Sequence, residues 1–229
     1  MKRVLKKILL TSGFILGSMG FVTSHAVDLS RPDIEKGEQI YLQGDPSRGV
    51  LACVTCHGTE GNSVLETYPN LAEQPFEYLV KQMKDFRPDG DKPAKRLGAG
   101  GNPAVMAPIV AQMTDEEIRD VAFYVSVQKL DPETLPTASN EDTLEYAQKI
   151  WRGGIPDRNV AACAACHAPN GAGIPGEFPR LKGQFASYLA EQLRLFRDGE
   201  RQDDIMAAIA SRMQEKDIQA IADYAAGLR

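Results

Sequence analysis

The chain has 229 residues, enough for one large domain or two small ones, and its 43% hydrophobic and 25% charged residues match an ordinary globular protein. Its formal net charge of −5, with no cluster of Lys and Arg beyond the first few residues, argues against nucleic acid as a partner. Ordinary composition and negative charge leave the motifs to decide the function.

In chain order, Lys2, Arg3, Lys6 and Lys7 precede an apolar run over residues 8–22, and small residues follow at Ser24 and Ala26. That pattern predicts a secretory signal over 1–26, with the mature protein in the periplasm. The alternative, a retained membrane anchor, asks for roughly 20 apolar residues, and this run is shorter. Beyond Ala26 the net charge is −9, because the four removed charges are all basic. Asp33 then stands where it can cap a helix through Gly37 and Tyr41.

The next landmark is "ACVTCHGTEG", residues 52–61, which returns as "ACAACHAPNG", residues 162–171. All four cysteines, Cys53, Cys56, Cys163 and Cys166, lie in these two C-x-x-C-H runs. His57 and His167 are the only histidines beyond the signal. A shared zinc site expects its cysteine pairs about 15–20 residues apart, and a thioredoxin-type pair expects a β/α setting and no adjacent histidine. C-x-x-C-H is instead the attachment motif of c-type haem: two thiols bond one edge of the porphyrin, and the short tether places the histidine beneath the iron. Two copies imply two covalently attached haems, with iron held at His57 and His167.

The similarity extends past the motif. At an offset of 110 "QIYLQGDPSRGVLACVTCH" pairs with "KIWRGGIPDRNVAACAACH", "YPNLAEQ" with "FPRLKGQ", and "YLVKQMKDFR" with "YLAEQLRLFR". After Arg87 and Arg197 the offset falls to 100, because the first half carries ten extra residues within "PDGDKPAKRLGAGGNPAV". That insertion, with Lys92, Lys95 and Arg96, reads as a mobile surface loop. Thr114, followed by Asp115, Glu116 and Glu117, caps a last helix that runs to about Lys129. The domains expected are 27–130 and 141–229, joined by a Pro- and Ser-containing linker over 131–140. Both are all-α, because helical spacing recurs and no alternating strand pattern of comparable length exists.

These motifs resemble a dihaem cytochrome c of the cytochrome c4 family, two class I cytochrome c domains in tandem. The resemblance covers nearly everything after the signal, and "YLAEQLRLFRDGER" is its strongest stretch. The first half departs by its insertion and by Glu73 where the second has Gly183. The resemblance implies a periplasmic electron carrier serving redox protein partners, with a terminal oxidase or a quinol-oxidising complex as candidates. Association with the membrane is compatible with this role and not required by it. It also implies that the carbonyls of Pro69 and Pro179 orient the two histidines. The alternative is a cytochrome subunit of a larger dehydrogenase or flavocytochrome, whose haem sites would look the same.

An electron carrier fills both axial positions of its iron, and with no spare histidine the distal ligand falls to methionine. Two pairs repeat, Met106 with Met206 and Met113 with Met213. Met113 sits just before the cap Thr114, where an apolar side chain folds against Ile118 as a hydrophobic staple. Met106 lies seven residues upstream of Met113, in the loop beside Pro103 and Pro108, and the resemblance implies a ligand methionine at that interval, as Met206 stands from Met213. Met106 and Met206 are therefore the expected iron ligands. Gly37 and Ala147 should let the first and last helices of each half cross, bringing Tyr41 to Tyr124 and Trp151 to Tyr224.

Overall fold

The computed structural model describes residues 31–229, and the expected signal over 1–26 lies outside the described residues. The first half begins with α1 (Ile34–Gln43), capped by the Asp33 carboxylate, which accepts from the Glu35 and Lys36 amides. The C-x-x-C-H run forms the single turn α2 (Val54–His57). After it come α3 (Phe76–Asp85), the short α4 (Ala107–Val110) and α5 (Asp115–Ser126). The second half repeats this order in α6 (Glu141–Gly153), α7 (Ala164–His167), α8 (Ala186–Asp198), α9 (Asp204–Ala210) and α10 (Glu215–Ala226). Only isolated β-bridges accompany the helices among the described residues. Pro32–Arg229 form one unit, so contacts between the halves are part of the fold.

Each half is built on a crossing of its first and last helices. Buried Ile118, Val121, Ala122 and Val125 lie at helical spacing along α5, and Ile218, Ile221, Ala222 and Ala225 repeat the stripe on α10. Against α5, α1 presents Gly37. A Cβ there would stand 2.1 Å from the Asp120 carbonyl oxygen, so only glycine permits this approach. The crossing brings the Tyr41 and Tyr124 ring centroids to 5.4 Å and those of Trp151 and Tyr224 to 6.0 Å. Thr114 and Glu117 close a reciprocal capping box at the start of α5, and Gln214 and Asp217 do the same for α10. Met113 and Ile118 belong to the same buried core cluster, where a staple would place them.

The repeated Arg48 and Arg158 tie the turn before each C-x-x-C-H run to the last helix. Arg48 pairs with Glu117 at 2.6 Å and Arg158 with Asp217 at 2.6 Å. The segment over 131–140 is pinned at both ends, since Asp131 N–H donates to Asn62 and the Asp223 carboxylate accepts from the Ser139 and Asn140 amides.

Most of the insertion is exposed, Lys92 and Lys95 included, as a surface loop requires, but the stretch around Arg96 is not free. It folds back between the halves, where the Leu97 amide donates to the Glu200 carbonyl and the Gln202 amide to the Lys95 carbonyl. Arg96 is only 7% exposed. The alignment concealed the reason: Arg96 is the structural partner of Arg201, the two joined by an antiparallel bridge. Each guanidinium stacks 4.4 Å from the ring of its own half, Arg96 on Phe86 and Arg201 on Phe196. Glu73 likewise has a structural role. It holds φ at 59°, the left-handed conformation that Gly183 adopts at 76° without a Cβ penalty. Its carboxylate pairs with Arg180 of the other half at 2.6 Å.

Candidate functional site: two histidine crevices on one cavity

A cavity of about 620 Å³ reaches both C-x-x-C-H turns and is lined by Cys53, Cys56, His57 and Met106 from the first half and by Cys163, Cys166, His167 and Met206 from the second. That volume lies within the usual range of about 300–1,000 Å³ for cofactor pockets. The turns α2 and α7 hold the motif compactly. His57 N–H donates to the Cys53 carbonyl and His167 N–H to the Cys163 carbonyl, both at 2.9 Å, so thiols and imidazole belong to one rigid turn.

Each histidine is 6% exposed. His57 Nδ1 lies 3.0 Å from the Pro69 carbonyl oxygen and His167 Nδ1 lies 3.0 Å from that of Pro179. A carbonyl only accepts, so Nδ1 carries the proton and Nε2 keeps its lone pair for a metal. Burial pushes both imidazoles below the usual histidine range, which favours the neutral, ligating form. Tyr68 and Phe178 stand edge-on to the two rings, with centroids at 6.2 and 6.1 Å. Behind the rings, the Tyr41 hydroxyl donates to the Gly58 carbonyl and accepts from Gly61 N–H, while Trp151 Nε1 donates to the Pro169 carbonyl.

The cysteines are not disulfide-bonded. Burial raises the thiols of Cys53 and Cys163 to about 11, the opposite of the depressed value that makes a redox thiol reactive. No group of metal-binding side chains suited to zinc occurs among the described residues. The donor set therefore fits a haem fixed through its thiols and ligated by histidine.

Across the cavity, Met106 precedes α4, whereas Met206 lies within the first turn of α9, whose cap Asp203 accepts from the Met206 amide. The segment holding Met206 is thus a short helix, made possible by an aspartate cap that the first half lacks. Both side chains are half-buried. Met113 does not line the cavity, but Met213, buried to the same 5%, touches its wall.

Sequence reasoning missed the seam between the crevices. Arg96 donates to Gln82 of its own half and to Tyr188 and Gln192 of the other. Arg201 mirrors it, donating to Gln192 and to Tyr78 and Gln82. None of these acceptors is a carboxylate, and all six side chains line the cavity. Burial, with the like charge of Arg201 nearby, pushes the Arg96 guanidinium below its usual range. The available signal was the repetition of Tyr78 and Gln82 as Tyr188 and Gln192.

Two helical modules, each with a C-x-x-C-H turn and a carbonyl-oriented histidine, define a tandem cytochrome c. The cytochrome c family model matches residues 34–129 and 158–228. The cytochrome c4 of Azotobacter vinelandii is 38% identical over 198 residues, covering 82% of this chain and 91% of that protein. A thiosulfate dehydrogenase electron acceptor of Stutzerimonas stutzeri is 35% identical over 196 residues, covering 84% of this chain and 86% of that one. The crystal structure of reduced recombinant cytochrome c4 from Pseudomonas stutzeri superposes with a TM-score of 0.72 at 33% identity, covering 87% of this chain and all of that one. The chain belongs to the cytochrome c4 family.

Proposed function

We propose that the chain is a periplasmic electron-transfer protein carrying two c-type haems, joined through Cys53 and Cys56 in the first half and Cys163 and Cys166 in the second. Each haem supplies an iron that gains one electron from a donor and gives one to an acceptor. His57 and His167 would each ligate one iron through Nε2, held by the Pro69 and Pro179 carbonyls. Met106 and Met206, lining the same cavity, would supply the second ligand to each iron, and a soft thioether ligand would favour the reduced state. The observation carrying this reading is that both histidines, in the ligating tautomer, share a cavity with a methionine from the equivalent segment of each half.

Arg96 and Arg201 complete the sites. Two buried cations with no carboxylate among their hydrogen-bond acceptors call for anions, and a haem carries two carboxylate side chains. These carboxylates are assigned to the seam. Among exposed apolar side chains, Leu51, Val105 and Ile205 line the cavity, a limited rim suited to brief docking by redox proteins. The net negative charge beyond residue 26 suits partners with a basic face. No helix among the described residues is long and apolar enough to cross a membrane. A terminal oxidase or a quinol-oxidising complex remains a candidate partner.

The relative named for accepting electrons from thiosulfate dehydrogenase favours a second reading, in which this chain serves a dehydrogenase, as a soluble acceptor or a bound subunit. Native extraction followed by size-exclusion chromatography separates a chain that runs alone from one that co-elutes with an enzyme. The haem-site reading is tested by exposing the reduced protein to carbon monoxide. Filled distal positions leave the spectrum unchanged, and rapid carbon monoxide binding would overturn methionine ligation.

A further inference from the structure

The peptide unit that orients His57 is gripped on its other side by the second half of the protein. The Pro69 carbonyl accepts from His57 Nδ1 at 3.0 Å, and the N–H of that same peptide group, on Asn70, donates to Gln184 Oε1 at 3.0 Å. Gln184 Nε2 returns a hydrogen bond to the Asn70 carbonyl at 3.0 Å, and Asn70 Nδ2 donates to the Gly183 carbonyl at 2.8 Å. Gln184 and Asn70 are 4% and 5% exposed, so water does not compete for these bonds.

The repeat supplies an internal comparison. Gln74, the counterpart of Gln184, donates through Nε2 to the Arg180 carbonyl at 2.8 Å, but its Oε1 is buried without a partner. Gln74 therefore holds the Arg180–Leu181 peptide and leaves the Pro179–Arg180 peptide, which faces His167, without an amide acceptor of this kind. The two glutamines are equivalent in sequence and differ in bonding.

We infer that Gln184 is a positioning residue for the first haem, acting across the seam through the Pro69–Asn70 peptide on His57. This rests on the proposal that His57 ligates that haem. Hydrogen bonds in series polarise one another in a dry environment. An acceptor on the Asn70 N–H increases the negative charge on the Pro69 oxygen, strengthens the bond from His57 Nδ1–H, and makes His57 a better electron donor to iron. A stronger donor favours the oxidised metal. Gln184 therefore lowers the potential of the first haem, and a side chain in one half sets a property of the other.

The test compares Gln184→Met, close in size but without the amide acceptor, with Gln74→Met, using the full-length dihaem protein. Spectroelectrochemical titration should show an upward shift of the first-haem couple alone in Q184M and no shift of either couple in Q74M. In the reduced protein, the NMR signal of His57 Nδ1–H should move upfield in Q184M while that of His167 stays in place. If Q184M does not fold, Gln184→Glu retains an acceptor for Asn70 N–H and should move the His57 signal downfield or leave it in place. An upfield shift in Q184E would overturn the inference. So would unmoved first-haem values in Q184M, or equal shifts of both haems in Q184M and Q74M, which mark general loosening of the seam. A wild-type protein lacking two haem couples would overturn the functional reading and this inference together. Two couples that ignore Gln184 would overturn the inference alone.

Discussion

Replacing Gly37 with alanine sets helix propensity against packing. Alanine favours a helix interior by about 1 kcal/mol over glycine. Its Cβ, however, would stand 2.1 Å from the Asp120 oxygen and 2.6 Å from the Asp120 carbonyl carbon, so α1 and α5 must part by roughly 1.3 Å to reach ordinary contact near 3.4 Å. The obstacle is backbone, which no rotamer change relieves, and overpacking of this kind costs about 1–3 kcal/mol. Taking the upper end and subtracting the propensity gain leaves a net loss of about 2 kcal/mol. For a unit of this size that is a fall in Tm of about 4–8 °C, measured by far-ultraviolet circular dichroism on the haem-loaded protein. The parting would also loosen the Tyr41 hydroxyl from Gly58, the residue after His57. The second half carries Ala147 at this position, 1% exposed, and Ala147→Gly should lose only about 1 kcal/mol. A G37A protein as stable as wild type would refute the close crossing of α1 and α5.

Met106→Ala and Met206→Ala should each open one haem to carbon monoxide, whereas Met113→Ala should lower stability by about 2–5 kcal/mol and leave both haems closed; absorbance titration and thermal melts separate these outcomes. Arg194 and Arg197 hold the Glu215 carboxyl at about 2, against an ordinary 4.5. Its folded value is depressed, so its contribution is present above pH 4.5 and fades as pH falls toward 2, by less than about 1 kcal/mol at this exposed site. Glu215→Gln should therefore flatten the stability profile over that window in acid denaturation. Removing a buried cation from the seam by Arg96→Gln should lower the potentials of the haems it faces, and unchanged potentials would argue against haem carboxylates at Arg96.

Much of this architecture was legible because two physical patterns survive in sequence. The apolar stripe Ile118, Val121, Ala122 and Val125 records the α5 face, and Thr114 with Glu117 marks where that helix starts. The haem turns were legible because C-x-x-C-H chemistry is local, confined to one turn of helix. The seam was not, because its residues act between segments about 100 positions apart. Arg96 pairs with Arg201 at a spacing matching neither alignment offset, so the insertion concealed it. Glu73 looked like a departure from glycine, and its ion pair with Arg180 becomes visible only when the halves meet. Met206 was placed by its interval from Met213, which fixes position along the chain but does not reveal the Asp203 cap that winds this segment into a helix.

The most direct test of the central claim is a coulometric redox titration of the purified, full-length protein. Two electrons per chain should be taken up reversibly in one-electron haem couples, one for each C-x-x-C-H turn. Uptake of one electron or none, or cysteine redox in place of haem reduction, would contradict it.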